Sequence, residues 1–138
     1  MLTEKDYCDY DTCVALKELG YKVPTSAYYM SNNETLYFVS NSFRGGYAID
    51  CFYSHNSLRE GVVTSNYIDA PTMWEAQKWL REEKGMLLQP TYLELSDEWI
   101  CVIRDKNKRH GYSAKKQKNY EGALLEGIKE AIKILKEE

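Results

Sequence analysis

Pro71-Thr-Met-Trp-Glu-Ala-Gln-Lys-Trp-Leu-Arg-Glu-Glu-Lys-Gly85 decides how the rest of the chain is read. Thr72 and Glu75 stand in the Thr-x-x-Glu spacing of a capping box, where hydroxyl and carboxylate each take a backbone N–H that a helix start leaves unpaired. Loss of such a cap costs about 1 kcal/mol. Pro71 is a natural helix boundary, and Gly85 sits where a left-handed residue closes a helix. Between them Met73, Ala76 and Leu80 recur at helical spacing, and Trp79 widens that stripe. Trp74 lies off it, so it either packs under another element or stays half-exposed. Core packing is the expected role of both Trp, ahead of a ligand platform. Glu82 and Glu83 oppose the helix dipole and, with Arg81 and Lys84, read as a solvated last turn.

The chain beyond Gly85 alternates in the manner of strands. Met86–Leu95 is a strand whose Pro90 removes a ladder donor, which suggests an edge or a bulge. Ser96-Asp97-Glu98 reads as a turn. In the strand Trp99–Asp105, Trp99, Cys101 and Ile103 face one way and Ile100 and Val102 the other. A charged turn, Lys106–Arg109, leads to a strand over His110–Lys115. Asn119 caps a long helix, Tyr120–Lys136, with Leu124, Ile128, Ala131, Ile132 and Leu135 as its buried stripe. Gly127 in mid-helix costs about 1 kcal/mol against Ala.

Before Pro71, Asp9 or Asp11 caps a helix over Tyr10–Leu19 that Gly20 ends. Strands follow at Ala27–Met30, Thr35–Asn41 and Tyr47–Tyr53, with turns at Ser31-Asn32-Asn33 and Arg44-Gly45-Gly46. Val62–Ile68 is a strand or an extended approach to the central helix. The expected architecture is α+β: a two-layer domain over residues 1–138, with a mainly antiparallel sheet, a central helix and a long C-terminal helix. One sheet face should be covered by two helices. A chain of 138 residues has enough material for a core.

Twelve Tyr against three Phe suit half-buried strands, where a ring packs and its hydroxyl stays wet. The net charge of −3 argues against a generic polyanion binder. No apolar run is long enough to span a membrane. The opening Met1-Leu-Thr-Glu-Lys-Asp6 lacks the features of a signal peptide. A cytoplasmic protein with four reduced Cys is therefore expected.

Sites that would carry chemistry are weak. Cys8, Cys13, Cys51 and Cys101 make no Cys-x-x-Cys pair, and His55 and His110 are isolated, so no metal is implied. Cys13, Cys51 and Cys101 fall on apolar faces, where a free Cys acts as a small hydrophobe. A nucleophile set of Cys51, His55 and Asp50 is opposed by strand geometry, since Asp50 and Cys51 point to opposite faces. Gly45-Gly46 lacks the Lys-Ser/Thr ending and following helix of a phosphate loop. No catalytic residue and no cofactor is implied.

Charge is uneven. Seven Lys or Arg against one Asp give residues 104–118 a charge of +6, which leaves −9 for the other 123 residues. Arg104, Lys106, Lys108, Arg109, Lys115, Lys116 and Lys118 are the candidate nucleic-acid contacts, with Tyr112 among them able to stack on a base. The helix–strand–strand–strand–helix order matches the double-stranded-RNA-binding fold. However, the cluster precedes the Asn119 cap rather than occupying the first helical turn. A solvated turn and an edge strand guarded by Lys account for the same residues.

Three segments carry a resemblance. Tyr10-Asp-Thr-Cys-Val-Ala-Leu-Lys-Glu-Leu-Gly-Tyr21, Ala70-Pro-Thr-Met-Trp-Glu-Ala-Gln-Lys-Trp-Leu-Arg-Glu-Glu-Lys-Gly85 and Tyr120-Glu-Gly-Ala-Leu-Leu-Glu-Gly-Ile-Lys-Glu-Ala131 resemble a group of small uncharacterised proteins of gut Bacteroidales and their phages and mobile elements. The Ala-Pro-Thr opening before Gln-Lys-Trp-Leu-Arg-Glu is its most specific part. The resemblance implies a cytoplasmic protein of phage or mobile-element setting and carries over no site residue. With plentiful Tyr and Trp, residues that anchor interfaces, the expected role is a non-enzymatic accessory protein that binds another protein. The alternative is a nucleic-acid-binding module, and a site assembled from distant residues would make the chain an enzyme.

Overall fold

The computed structural model describes residues 2–30, 34–38, 67–108 and 110–137. The chain divides into two compact units, Met1–Cys8 with Thr72–Glu138, and Asp9–Pro71. The expected α+β class is observed, with antiparallel three-stranded sheets.

In the unit Asp9–Pro71, helix α1 (Tyr10–Glu18) starts at Asp9, whose carboxylate accepts the Thr12 N–H at 3.0 Å. Gly20, at φ 105°, turns the chain after the helix. The Tyr21 N–H then returns to the Leu16 carbonyl. Strands β1 (Ala27–Met30), β2 (Leu36–Phe38) and β3 (Tyr67–Asp69) form a sheet in the order β2-β1-β3. Ala27, Tyr29 and Ile68 are buried, and Tyr10 meets Tyr29 edge-on at 5.6 Å. Tyr28, Tyr37 and Tyr67 share the other face, with Tyr28 stacked on Tyr37 and edge-on to Tyr67. The expected strand Tyr47–Tyr53, its flanking turns and Asp50, Cys51 and His55 lie outside the described residues.

The second unit is built on the central helix, α2 (Met73–Lys84). Both bonds of its capping box form: Glu75 N–H to Thr72 Oγ1 at 3.1 Å and Thr72 N–H to Glu75 Oε1 at 2.8 Å. Gly85 closes it in the left-handed region at φ 68°. Met73, Ala76 and Leu80 are buried, whereas Trp74 is half-exposed. The opening residues form a 3-10 turn over Glu4–Asp6 with its own capping box from Thr3, and Tyr7 bridges to Thr72.

Strands β4 (Met86–Leu93), β5 (Glu98–Asp105) and β6 (His110–Ser113) follow in the sheet order β4-β5-β6, and helix α3 (Tyr120–Lys136) closes the chain. The helix–strand–strand–strand–helix order read from the sequence is the order observed. Register sets Met86 against Asp105, Leu88 against Ile103 and Pro90 against Cys101, so these residues share one face. That face is buried under α2 and α3. Pro90 sits in an edge strand, as its missing N–H requires. The Gln77 amide of α2 donates to the Leu88 carbonyl at 3.0 Å, so a side chain satisfies part of that edge.

At Gly127 α3 lies directly against Cys101 of β5. A Cβ there would lie 2.8 Å from Cys101 Cβ and closer still to its Sγ. The soft spot in the helix is thus the contact point, and the propensity lost there allows the close approach. The buried stripe of α3 is wider than expected: Ala123, Gly127 and Ile134 are also buried, and Leu135 is only partly so. No helix among the described residues is long and apolar enough to cross a membrane.

Candidate functional site

The β4–β5 turn presents the most distinctive surface of the second unit. The strand expected to reach Leu95 ends at Leu93, and residues 94–97 turn the chain. Asp97 adopts φ 56°, a left-handed conformation that Asp tolerates through local hydrogen bonding. Its N–H donates to the Leu93 carbonyl at 2.9 Å. Its carboxylate accepts the Tyr92 hydroxyl at 2.7 Å. That hydrogen bond, then burial, then the carboxylate's charge hold the Tyr92 phenol above its usual pKa.

With the turn tied at both ends, Leu95 is left at the tip wholly exposed, at 104% of its reference area. Tyr92 lies opposite Trp99 in register, with ring centroids 5.2 Å apart, and Tyr120 at the start of α3 meets Trp99 edge-on at 5.4 Å. All three rings keep part of their surface in solvent. Such contacts add about 0.5–1.5 kcal/mol beyond area burial. They therefore hold the rings in a fixed array at the end of the sheet from which the Leu95 turn projects.

The predicted basic residues are divided by the hairpin. Lys106 and Lys108 lie in the β5–β6 turn and Arg104 on the sheet face opposite the helices, all exposed. Arg109 lies outside the described residues. Lys115, Lys116 and Lys118 are exposed at the other end of β6, on the order of 15 Å away at about 3.3 Å per residue. Ala114 N–H bonds the Cys101 carbonyl, and Trp99 and Gln117 exchange two bonds of 2.7 and 2.8 Å. Lys115 and Lys116 thus stand against Ile100 alone, which is a β-bulge and shortens β6 from the expected His110–Lys115. Glu94, Asp97, Glu98 and Glu121 belong to the same end of the unit. The three lysines there are outnumbered by carboxylates.

No family model, curated protein or solved structure matches the chain.

Among the described residues each unit carries a groove. One of about 430 Å³ includes Thr3, Lys5, Asp6, Asn119, Glu121 and Leu125 in its walls. Its helix starts are already answered by the chain's own groups: Asp6 accepts the Thr3 N–H at 2.7 Å, and Asn119 Oδ1 the Gly122 N–H at 2.6 Å. The other, of about 320 Å³, is lined by Lys17, Tyr21, Lys22, Tyr67 and Asp69. Among the described residues no three His, Cys, Asp or Glu are grouped so as to hold a metal. Cys8, Cys13 and Cys101 are buried, and burial pushes the Cys101 thiol up to about 11, against the action of a backbone hydrogen bond involving Gln89.

Sequence reasoning missed Tyr92, Leu95, Trp99 and Tyr120 as a surface group. The available signal was a large aliphatic residue, Leu95, beside the turn-forming Ser96-Asp97. It was masked because Leu93 and Leu95 continue a strand alternation.

Proposed function

We propose that this chain is a non-enzymatic binding protein that engages another protein through the Tyr92–Leu95–Trp99–Tyr120 end of its second unit. The observation that carries the reading is Leu95, fully exposed on a turn fixed by the Asp97 hydrogen bonds. A rigid apolar knob loses little conformational freedom on docking. Tyr and Trp beside it are the residue types that dominate interface energetics. The rim of Lys115, Lys116, Lys118, Glu94, Asp97 and Glu121 carries both signs, as a protein-binding rim does. The phage or mobile-element setting and the cytoplasmic location implied by the resemblance complete the reading.

Capture from a lysate of the source cells tests it. Wild-type protein should retain a nuclease-insensitive partner that Leu95→Asp loses, a weakening of at least tenfold for an anchor of about 2 kcal/mol. Retention unaffected by Leu95→Asp overturns the reading.

The second reading, a nucleic-acid-binding module, is favoured by the element order from α2 to α3. It requires RNA or DNA binding that weakens steeply with salt and is abolished by Lys115→Glu, Lys116→Glu and Lys118→Glu together. Absence of binding by the wild type at low salt removes it.

A further inference from the structure

We infer that the free edge of β6 takes up an extended acidic segment of the partner as an additional strand. This rests on the protein-binding reading above and names the partner's chemistry. Among the described residues no strand pairs with the outer side of β6. The Ala114 N–H points inward to Cys101. By antiparallel alternation Tyr112 also directs its backbone inward, while Gly111 and Ser113 direct theirs outward. Both are exposed. A Cβ at Gly111 would meet nothing within 4 Å. Among the described residues an incoming strand therefore finds two N–H and two C=O groups, with open space at Gly111.

Charge along β6 itself selects the occupant, because the carboxylates of the Lys115–Lys118 end stand on the β4–β5 turn (Glu94, Asp97), β5 (Glu98) and α3 (Glu121) rather than on this edge. Lys106 and Lys108 precede this edge and Lys115, Lys116 and Lys118 follow it, all exposed. A second copy is a poor fit. Antiparallel two-fold pairing centred on Tyr112 brings the Lys115–Lys118 end of one copy beside the Lys106–Lys108 turn of the other, and like charges brought together across paired strands are destabilising. A segment with carboxylates flanking an extended middle reverses the sign of both contacts, while main-chain bonds along the strand supply affinity. The lysines that guard the edge against self-association are the feature that admits an acidic strand.

The probe is a fluorescent synthetic peptide with Glu residues flanking alternating Val and Thr, read by anisotropy against the full chain. Binding at low salt is expected, with slowed hydrogen exchange at the Gly111 and Ser113 amides. N-methylation of alternate peptide amides keeps the charge and removes the ladder bonds. It should weaken binding about tenfold, as expected for two hydrogen bonds. Lys106→Glu with Lys116→Glu should weaken the unmodified peptide at least as much while the thermal midpoint holds, because both residues are exposed. No binding at low salt, equal binding of the N-methylated peptide, or unchanged exchange at Gly111 and Ser113 overturns the inference. So does binding of a labelled RNA duplex in place of the peptide. If the peptide fails while capture through Leu95 persists, only the edge assignment falls. If the peptide binds and Leu95→Asp captures as the wild type does, the reading centred on Leu95 falls.

Discussion

Replacing Gly127 with Ala tests how closely α3 rides on β5. Helix propensity alone favours Ala by about 1 kcal/mol. Against this, the added Cβ falls 2.8 Å from Cys101 Cβ and nearer to Sγ. Cys101 is fully buried in the middle strand of its sheet, so neither atom can swing away. Overpacking of this kind costs about 1–3 kcal/mol. With two atoms in collision the upper end applies, which leaves a net loss of about 2 kcal/mol. In urea that lowers the midpoint by roughly 1 M, at a slope of about 2 kcal/mol per molar. Cys101→Ala alone removes one buried sulfur and costs on the order of 1 kcal/mol. In the double variant the sulfur collision is absent, so the combined loss should fall short of the sum by about 1 kcal/mol. A neutral or stabilising Gly127→Ala, or strict additivity in the double variant, refutes the packing described here.

Thr72→Ala removes the hydroxyl half of the α2 capping box and should cost about 1 kcal/mol by chemical unfolding. Asp97→Asn keeps a residue that tolerates φ 56° but removes the carboxylate from Tyr92; ultraviolet titration should then show the Tyr92 phenol ionising at lower pH than in the wild type. Cys101 should resist alkylation at pH 8 in the folded chain, since burial holds its pKa near 11 against an ordinary 9.0. Between pH 9 and 11 the folded chain keeps a proton that the unfolded chain has lost. The stabilising difference is therefore full below pH 9 and declines as pH rises through that window. The stability gap between wild type and Cys101→Ala should narrow there.

The helices were the legible part. Thr72, Glu75 and Gly85 act within one or two turns of their own backbone, so local chemistry marks the limits of α2; Asn119 does the same at the start of α3. The α+β class followed from two-residue alternation and short connections. The β4–β5 turn was harder, because strand pairing across the sheet, rather than the Leu93–Leu95 alternation, decides where β4 stops. The bulge at Lys115 and Lys116 is likewise set by the Trp99–Gln117 pairing. The basic stretch shows the same limit: residues contiguous in sequence stand at opposite ends of a strand. The Thr3 cap escaped notice because its reciprocal acid, Asp6, is not the usual Glu or Gln.

The most direct test of the binding account is photo-cross-linking in the source cells from benzoylphenylalanine at position 95, compared with the same group replacing Glu83 on the exposed last turn of α2. A discrete protein adduct from position 95 and none from position 83 is the predicted result. Equal adducts from both positions, or a position 95 that cross-links only to nucleic acid or to nothing, would contradict it.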